Sequence, residues 1–297
     1  MALAVLVPGG RGQLGRDLAA ATPEDGLVHA PSSAELDLTD PEAVADAVAV
    51  FASTARDAGH RPVVVNAAAY TAVDAAETDV DRATAVNALG PQHLATSCRA
   101  HNVPLLHVST DYVFPGDGTR PYEPTDETAP KSVYGRTKLD GEQRVLSTWD
   151  RSWVVRTAWV YGEHGNNFVK TMARLATTHD TLSVVDDQVG SPTWSLDLAD
   201  GLLHLAAAVA AGDNPPRVLH ATNAGETTWC GFARAIFTEL GLDPTRVRPC
   251  TTADYPRPAP RPAYSVLSGK AWADAGLPPL RHWQEALTDA FSTNALP

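Results

Sequence analysis

Leu3-Ala-Val-Leu-Val-Pro-Gly-Gly-Arg-Gly-Gln-Leu-Gly15 is the stretch that decides the fold of this 297-residue chain. Its continuous apolar start, residues 3–7, is typical of a strand buried on both faces of a parallel sheet. The glycines end that strand and open a helical pattern over residues 13–21. Because a glycine-rich turn between a first strand and its helix can hold a pyrophosphate, this unit predicts a dinucleotide-binding domain.

The strand-and-helix unit repeats along the first half of the chain. Further apolar runs at 62–65, 104–108 and 153–156 predict buried strands. The segments 41–58 and 81–101, which precede two of these runs, suit helices. Strands that alternate with helices predict an α/β fold with a Rossmann-type, doubly wound parallel sheet.

The pattern loosens after about residue 165. Residues 167–177 suit a helix, 182–185 a strand, and 195–211 a long alanine-rich helix. Prolines then become dense over 244–262, which is more typical of an ordered cap over a site than of a packed parallel sheet.

The 44% hydrophobic content allows a full core, and the length permits one large domain or two unequal ones. We expect two. The first is expected to be a nucleotide-binding domain, and the second a smaller C-terminal substrate-binding domain. The expected bounds are 1–165 for the first domain, with 194–222 packing back onto it, and 166–193 plus 223–297 for the second.

Charge and cysteine content exclude several classes of protein. The net charge of -12 disfavours nucleic acid as a partner and offers no basic patch to a membrane surface. Three cysteines without paired spacing argue against a disulfide framework and against a structural zinc site. The first apolar run is too short to span a membrane and has no basic flank, so we expect a cytoplasmic protein without a signal peptide.

Tyr134 and Lys138 are four residues apart, which places them on one face of a helix. At about 4 Å and an effective dielectric near 20, an ammonium stabilises a phenolate by roughly 4 kcal/mol, enough to lower the phenol pKa by about 3 units. The same spacing also occurs in surface packing pairs. Here the strand at 104–108 runs into Ser109 and Thr110, and ligands bind at this edge of a parallel sheet. The sequence therefore predicts a proton-transfer site that contains Thr110, Tyr134 and Lys138.

The glycine loop also bears on the choice of cofactor. Gly9, Gly12 and Gly15 would permit the tight turn, the approach of a pyrophosphate and close helix packing. The second strand ends in Pro31-Ser32-Ser33, which offers no acidic residue to a ribose 2′-hydroxyl. Arg11 could pair with a 2′-phosphate, although a solvated surface arginine fits nearly as well. NADPH is the expected cofactor, with NADH as the alternative.

Several sequence blocks in a fixed order resemble the dTDP-4-dehydrorhamnose reductases, a family of extended short-chain dehydrogenases. In chain order the blocks are Gln13-Leu-Gly15, Asn66-Ala-Ala-Ala-Tyr-Thr-Ala-Val-Asp74, Ser109-Thr-Asp-Tyr-Val-Phe114, Tyr134 to Lys138, Arg156-Thr-Ala-Trp-Val-Tyr161, Gly165-Asn-Asn-Phe168, Asp187-Gln-Val-Gly-Ser-Pro-Thr193 and Arg261-Pro262. The resemblance spans most of the chain. It implies reduction of the 4-keto group of dTDP-4-dehydro-β-L-rhamnose to dTDP-L-rhamnose, with NADPH or NADH as the hydride donor.

The resemblance implies a role for each matched residue. Tyr134 would donate the proton, Lys138 would bind the nicotinamide ribose and lower the tyrosine pKa, and Thr110 would bind the substrate carbonyl oxygen. Asp111 and Trp159 would contact the sugar, although a turn cap and a core aromatic are their structural alternatives. The residues that would line the cofactor are Gly9, Gly12, Gln13, Leu14, Gly15, Asp37, Leu38, Ala69, Tyr70 and Thr71, with Tyr134 and Lys138.

Other matches have structural alternatives or depart from the family. Asn167 could simply cap the helix that follows it, and Arg261 could anchor either a diphosphate or its own loop. Some family members dimerise around magnesium held by clustered acids. Here Asp17 offers one carboxylate, but Leu196 stands where another acid is expected, with Asp197 beside it. We therefore predict no metal site, while the resemblance still allows a homodimer.

Two rival functions stay open at the level of sequence. One is another nucleotide-sugar reductase or epimerase on the same scaffold, since a fold does not fix a function. The other is a non-catalytic regulatory subunit, because the β-subunit of methionine adenosyltransferase resembles this family. The intact set Thr110, Tyr134 and Lys138 favours an enzyme. Thymine as the nucleobase is implied by the resemblance alone.

Overall fold

The computed structural model describes residues 2–293 and 295–296. Its strands are β1 (Leu3–Leu6), β2 (Leu27–His29), β3 (Arg61–Asn66), β4 (Leu105–Thr110), β5 (Ser152–Thr157), β6 (Val160–Tyr161), β7 (Leu182–Val185), β8 (Val189–Gly190), β9 (Thr193–Trp194), β10 (Val218–His220), β11 (Thr227–Thr228) and β12 (Val247–Cys250). Its helices are α1 (Gln13–Ala21), α2 (Pro41–Asp57), α3 (Val73–Ala76), α4 (Val80–Thr84), α5 (Gly90–Ala100), α6 (Val133–Thr148), α7 (Phe168–Ala176), α8 (Ser195–Ala211), α9 (Trp229–Glu239), α10 (Lys270–Asp274) and α11 (Trp283–Ser292). Within the described residues, no helix combines the length and apolarity needed to cross a membrane.

Six strands form the central sheet in the order β10-β5-β4-β3-β1-β2. Every neighbouring pair in it is parallel. The chain leaves β1 toward β2 and then returns to place β3 on the other side, so the order reverses between β1 and β3. Ligands bind at the carboxyl ends of the strands near such a reversal. The predicted doubly wound α/β fold is confirmed.

The apolar residues of β1 alternate between the two faces of the sheet. Val5 packs into a cluster that includes α1 and α8, with Leu18 and Leu202 fully buried. Leu6 packs into the opposite cluster, where α2 and α5 contribute Val44 and Leu94. Because helices cover both faces, residues 4–6 of the strand are fully buried and Leu3 partly so, and the run is apolar without polar interruptions.

The second half of the chain contributes to two separate layers. Helix α8 packs against α1, and β10 pairs with β5 in the central sheet. A separate cluster joins α7, α9 and α11 around Val169, Phe232 and Leu287. The division of the chain into two domains at the predicted boundaries stays a prediction.

The proline-dense segment is more regular than the sequence predicted. Strand β12 pairs in parallel with β7 to form a two-stranded sheet. The expectation that this segment is not part of a parallel sheet is therefore wrong over 247–250. Pro249 fits there because a strand of this small sheet has a free edge, where a missing N–H interrupts no ladder.

The helix predicted over 81–101 contains a π-helical turn, Ala85–Leu89, between α4 and α5. Pro91 lacks the N–H that an α-helix would donate to the carbonyl of Asn87. That carbonyl instead lies against α6, where a Cβ at Gly141 would come within 2.1 Å of it. The wider turn therefore accommodates the proline and brings Asn87 to the neighbouring helix.

Candidate active site

The glycine loop forms a tight turn at the end of β1. Gly9 has a φ of +82°, which L side chains rarely adopt, and its carbonyl accepts from the amide of Gly12. A Cβ at Gly15 would lie 2.3 Å from the same carbonyl, so α1 packs too closely for a larger residue. Gly12 caps α1 without a side-chain hydrogen bond to its first turn. The first amides of α1 are therefore left for an anionic group.

The predicted cofactor residues after β2 and β3 occupy different surroundings. Asp37 is exposed, and its carboxylate accepts from the amide and hydroxyl of Thr39. The side chain of Leu38 is buried in the core, so its backbone is the part that could face a ligand. Ala69 and Tyr70 are half-buried, and Thr71 is exposed. Their assignment to the cofactor stays a prediction.

Asn87, which was not among the predicted site residues, positions the loop after β3. Its side-chain oxygen accepts from the Tyr70 amide at 2.8 Å, and its amide nitrogen donates to the Tyr70 carbonyl at 3.1 Å. The same nitrogen donates to Thr137 on α6 at 3.2 Å. The π-helical turn therefore links the loop after β3 to the helix that bears Tyr134 and Lys138. The signal for this turn in the sequence was Gly90-Pro91, a glycine and a proline inside a helical pattern.

Thr110 and Asp111 form a buried turn at the end of β4. The Thr110 hydroxyl donates to the Asp111 carboxylate at 2.9 Å and accepts from the Tyr112 amide at 3.2 Å. Burial raises the pKa of Asp111 to about 6, while the side chains of Ser265 and Thr110 act in the opposite direction. Asp111 Oδ2 has no hydrogen-bond partner among the described residues. A buried acceptor of this kind suits a hydroxyl of a bound sugar.

Helix α6 brings Tyr134 to this turn. Ser132 caps the helix by accepting from the Gly135 amide at 3.1 Å. A Cβ at Gly135 would lie 2.3 Å from the Tyr112 carbonyl, so glycine allows α6 to pack directly on the turn after β4. The Tyr134 ring then meets that of Tyr112 edge to face, with centroids 5.5 Å apart. This packing places the phenol beside Thr110.

The pKa of Tyr134 moves in the direction opposite to the expected one. Burial raises it to about 12, and a hydrogen bond with Thr110 offsets only part of that rise. The net shift is therefore upward, and the lowering of this pKa by Lys138 stays a prediction. The physical reason is that desolvation of the phenolate costs more than nearby groups return. At neutral pH Tyr134 is a protonated phenol.

Lys138 is 1% exposed and its ammonium position is fixed by β4. Nζ lies 2.7 Å from the carbonyl oxygen of Val108 and 3.3 Å from Nε2 of His107. Burial lowers the pKa of Lys138 to about 8, although Glu142 acts to raise it. His107 was not among the predicted site residues, since a single histidine in an apolar strand carries no signal in the sequence.

A buried ion pair lies one turn after Lys138 on α6. Arg156 on β5 donates to both carboxylate oxygens of Glu142 on α6, the shortest contact being 2.7 Å. The guanidinium also lies over the ring of Phe114, 4.9 Å from its centroid. The pair joins α6 to β5, so it fixes the helix that bears Tyr134 and Lys138.

Trp159 lies where the sheet meets the α7–α9 cluster. Its φ of +50° is unusual for a residue with a side chain. The ring stacks on Trp229 with centroids 3.5 Å apart and covers Gly190, where a Cβ would come within 2.4 Å of it. Trp159 is half-buried, so it is neither a plain core residue nor a free surface one. Its contact with the sugar stays a prediction.

A cavity of about 520 Å³ opens beside Tyr112. One wall is formed by α7 and β7, with Phe168 and Met172, and the other by the segment 252–261. Arg261 lines the cavity and pairs with Asp74 of α3 at 2.9 Å. Asp74 also accepts from the amide of Ala259 at 3.2 Å. This carboxylate therefore ties the segment 252–261 to the loop region after β3.

Asn167 joins the glycine-loop helix to α7. Its oxygen accepts from the Lys170 amide, so it caps α7 as the sequence allowed. Its amide nitrogen donates to Gln13 at 3.0 Å and to the Gly162 carbonyl at 2.7 Å. Gln13 is thus held by the other half of the molecule, and Leu14 beside it packs against the core.

The carboxylates considered for magnesium have other partners. Asp17 accepts from Ser195, and burial raises its pKa. Asp197 pairs with Arg281 at 2.8 Å and accepts from Asn223 at 2.7 Å. Among the residues that the structure describes, no group of three or more acidic, histidine or cysteine side chains could hold a metal ion.

The chain matches the family model described as RmlD substrate binding domain over residues 3–295. It is 52% identical over 289 residues to a dTDP-4-dehydrorhamnose reductase of Streptomyces griseus, which covers 96% of this chain and 92% of that protein. It is 45% identical to a dTDP-4-keto-6-deoxy-D-glucose reductase of Streptomyces niveus, over 96% of this chain and 95% of that protein. The structure of dTDP-4-dehydrorhamnose reductase from Bacillus anthracis in complex with NADP aligns with a TM-score of 0.91 at 32% identity, covering 99% of this chain and 100% of that one.

The matched range 3–295 includes the glycine loop, the Thr110 turn and α6. They confirm the resemblance read from the sequence blocks. By the extent of the family model and the level of identity, the chain belongs to the RmlD substrate-binding family, that of the dTDP-4-dehydrorhamnose reductases.

Proposed function

We propose that this chain reduces the 4-keto group of dTDP-4-dehydro-β-L-rhamnose to give dTDP-L-rhamnose. The observation that carries the proposal is the phenol of Tyr134, protonated and beside Thr110 at the carboxyl edge of β4. A ketone reduction needs a hydride on carbon and a proton on oxygen. Tyr134 has the proton to give, and the strand edge lies on the side of the sheet where ligands bind in this fold.

The residues present fit a nicotinamide dinucleotide. The uncapped first turn of α1 and the open surface at Gly12 suit its pyrophosphate. Lys138, on the same face of α6 as Tyr134, would hold the nicotinamide ribose. When bound, the reduced nicotinamide supplies the hydride. NADP in the Bacillus anthracis relative supports this assignment.

The end of β2 bears on the choice between NADPH and NADH. Arg11 is exposed and free to pair with a 2′-phosphate. Glu35 folds back so that its carboxylate accepts from the Ser32 amide at 2.7 Å, and its charge interacts with Arg11. The carboxylate could instead accept from a ribose 2′-hydroxyl. This pairing of groups supports use of both cofactors, with NADPH preferred through Arg11.

Proton transfer follows from the arrangement at the turn after β4. The Tyr134 hydroxyl gives its proton to the carbonyl oxygen of the sugar as the hydride arrives at carbon. Thr110 would turn its hydroxyl proton from the Asp111 carboxylate to donate to that oxygen and orient it toward the phenol. Asp111 Oδ2, buried and without a partner in the described chain, would accept from a sugar hydroxyl. The sugar is thereby held by hydrogen bonds on the side of β4.

The cavity beside Tyr112 suits the nucleotide half of the substrate. Its volume of about 520 Å³ and its apolar wall at Phe168 and Met172 are appropriate for a nucleobase and its sugar. Arg261 lies between this cavity and α3, where a diphosphate could displace part of its contact with Asp74. Trp159, which stacks on Trp229 at the cavity wall, would then lie between the nucleotide and the turn after β4.

A second function within the same class has specific support. The Streptomyces niveus relative is named for a 4-keto sugar that differs from dehydrorhamnose in configuration. The ketone is the same in both sugars, so selectivity between them would depend on the contacts of Asp111 and Trp159.

We place the reaction in the cytoplasm, with a homodimer as the proposed assembly.

The test follows NADPH absorbance with purified protein and several 4-keto nucleotide sugars. Oxidation of NADPH with dTDP-4-dehydro-β-L-rhamnose and formation of dTDP-L-rhamnose are expected. Greater kcat/KM with dTDP-4-keto-6-deoxy-D-glucose would assign the second function. An epimerase would interconvert sugars without net oxidation of NADPH. A regulatory subunit would bind without turnover in any of these assays.

A further inference from the structure

The carboxylate of Asp111 is only half satisfied. Its Oδ1 accepts from the Thr110 hydroxyl at 2.9 Å, while its Oδ2 has no hydrogen-bond partner among the described residues. Asp111 is 3% exposed, and a buried carboxylate that loses its last donor is destabilised. The ionised form of Asp111 therefore depends on Thr110, the hydroxyl that is expected to turn toward the substrate ketone.

Thr110 cannot donate to both groups, because a hydroxyl has one proton. Its oxygen is held in place, since it accepts from the Tyr112 amide at 3.2 Å. While the proton points at Asp111, the ketone oxygen has no donor from Thr110. Once it points at the ketone, Asp111 loses its bond. A second donor to the Asp111 carboxylate would resolve this conflict.

Ser265 lies beside Asp111 with a weakly bonded hydroxyl. It is 2% exposed, and its oxygen lies 3.5 Å from the carbonyl oxygen of Val189, at the limit of a hydrogen bond. That carbonyl already accepts from the Ser265 amide at 2.8 Å. Burial raises the pKa of Asp111, and the Ser265 side chain is the largest of the effects that oppose this rise.

The backbone on both sides of Ser265 is fixed against the chain that follows Asp111. The Tyr264 amide donates to the Gly116 carbonyl at 3.0 Å, and the Tyr122 amide donates to the Val266 carbonyl at 2.9 Å. Leu267 packs in the same cluster as Val113 and Phe114. Because these contacts hold the Ser265 oxygen near the turn after β4, a change of its hydrogen-bond partner needs only rotation of the hydroxyl.

We propose that Ser265 is a positioning residue that donates to the Asp111 carboxylate when Thr110 turns its proton to the substrate ketone. The exchange leaves no group without a partner. The ketone oxygen gains Thr110, Asp111 gains Ser265, and the Val189 carbonyl keeps the Ser265 amide. The effect on catalysis rests on the proposed function, whereas the donation from Ser265 to Asp111 does not.

The other titratable groups around Asp111 do not replace this donor. Burial raises the pKa values of the nearby phenols, so these are neutral at pH 5 to 8: Tyr112, Tyr134 and Tyr264. The cations on the surrounding elements have other partners: Lys138 with the Val108 carbonyl, Arg156 with Glu142 and Arg261 with Asp74. Within the described chain Asp111 has no paired cation, so hydroxyl donors determine how readily it ionises.

The first experiment measures the pKa of Asp111 by ¹³C NMR of the purified protein, labelled at its aspartate carboxyl carbons, without substrate or cofactor. The signal is assigned by its loss in Asp111→Asn. Ser265→Ala removes a donor to the ionised form, so we expect its titration midpoint to lie above that of the wild type by about half a pH unit or more. An unchanged midpoint would overturn the proposal.

Thr157→Val is the matched control. Thr157 is the register neighbour of Thr110 on β5, and its buried hydroxyl has no partner among the described residues. Its removal should leave the Asp111 midpoint unchanged. A shift in Thr157→Val without one in Ser265→Ala would assign the second donor to Thr157 and would overturn the role of Ser265.

The second experiment is a double-mutant cycle with Thr110→Val, followed through kcat with NADPH and dTDP-4-dehydro-β-L-rhamnose. Ser265→Ala should lower kcat on the order of tenfold when Thr110 is present, because its proton then stays with Asp111. In the Thr110→Val background it should lower kcat less than about twofold, since no proton has to be released. An equal loss in both backgrounds would show a merely structural role.

The same samples separate failure of the two proposals. Thermal unfolding checks that each variant is folded before it is compared. If Ser265→Ala raises the Asp111 midpoint but the wild-type protein oxidises NADPH with no 4-keto sugar, the reductase assignment fails and Ser265 remains a donor to Asp111. If the wild type is active but the midpoint does not move, the proposal for Ser265 fails and the reductase assignment stands.

Discussion

Tyr134, Lys138 and Asp111 all lie where burial moves a pKa toward the neutral form. The phenol has a pKa of about 12, the amine about 8 and the carboxyl about 6. Desolvation is the largest cause in each case. Hydrogen bonds oppose it at Tyr134 and Asp111, and the charge of Glu142 opposes it at Lys138, without reversing the shift. At neutral pH Tyr134 carries the proton that a reduction must deliver, whereas a pKa of about 8 leaves Lys138 mostly charged and a pKa of about 6 leaves Asp111 mostly ionised.

Replacing Tyr134 with phenylalanine removes the proton donor without changing the packing of the ring. We expect turnover to fall by about 10²-fold or more, because general acid catalysis is lost. The Kd for NADPH, measured by fluorescence titration, should stay nearly unchanged. Tyr161→Phe is the matched control, since its buried hydroxyl has no partner in the described chain and should matter little to turnover. Near-normal turnover in Tyr134→Phe would remove Tyr134 from the mechanism.

Replacing Asp111 with asparagine should stabilise the protein at neutral pH. The folded-state pKa of about 6 lies above the ordinary 3.8, so folding favours the protonated acid. The wild-type protein therefore loses stability as pH rises from about 4 to about 6, and the loss is complete above that window. The variant does not titrate, so its advantage should grow over the same window, to at most about 3 kcal/mol.

Urea unfolding at pH 4.5 and pH 7.5 measures this difference. Asp213→Asn, at an exposed loop position, is the control and should show no such growth. If Asp111 contacts the sugar, the stabilised variant should also have a higher KM for the substrate. An equal stability difference at both pH values would contradict the raised pKa.

At the scale of elements, the π-helical turn 85–89 shows how a packing irregularity serves the site. In an uninterrupted α-helix the side chain of Asn87 would point in a different direction, because an α-helical turn contains fewer residues than a π-helical one. In the π turn Asn87 bonds both backbone groups of Tyr70 and the hydroxyl of Thr137. Such turns often occur at functional sites, and here the turn fixes the loop expected to line the cofactor.

Replacing Asn87 with alanine should loosen that loop. Loss of its hydrogen bonds leaves buried groups unsatisfied, and we expect a stability loss of about 1–3 kcal/mol together with a higher KM for NADPH. Chemical denaturation and steady-state kinetics measure the two effects. Thr96→Ala, exposed on α5, should change neither. A normal KM for NADPH would mean that the loop after β3 does not contact the cofactor.

At the scale of the whole molecule, two contacts link the halves of the chain across the site. Asn167 bonds Gln13, which lies 154 residues earlier. Asp74 holds Arg261 and the amide of Ala259, which lies 185 residues later. Both contacts lie between the region predicted to bind the cofactor and the region predicted to bind the substrate. They therefore set the position of the cavity beside Tyr112 relative to the turn after β4.

Replacing Asp74 with alanine should release the segment 252–261. We expect faster hydrogen exchange at its amides, Ala259 above all, and a higher KM for the nucleotide sugar with little change in the Kd for NADPH. Hydrogen-exchange mass spectrometry with kinetics measures both. Asp117→Ala, which removes an exposed ion pair with Lys131, is the control. Unchanged exchange in the segment would show that its order does not depend on Asp74.

The sequence by itself determined the class of fold and the identity of the family. The apolar runs and the helical patterns that alternate with them depend only on the residues within each segment, so they can be identified without the fold. The glycine loop and the Tyr134–Lys138 spacing are local for the same reason. Asn167 was also recognisable as a helix cap from its place before α7.

Only the tertiary structure decided the charges and contacts of the site. The pKa of Tyr134 depends on how deeply α6 packs against the turn after β4, and no local pattern gives that depth. His107 lacked any signal because its partners, Asn66 and Lys138, come from strands and helices that are distant in sequence. Desolvation and hydrogen bonding depend on which side chains become neighbours when the chain folds. The sequence could therefore name the candidate residues for the chemistry, whereas their protonation required the folded structure.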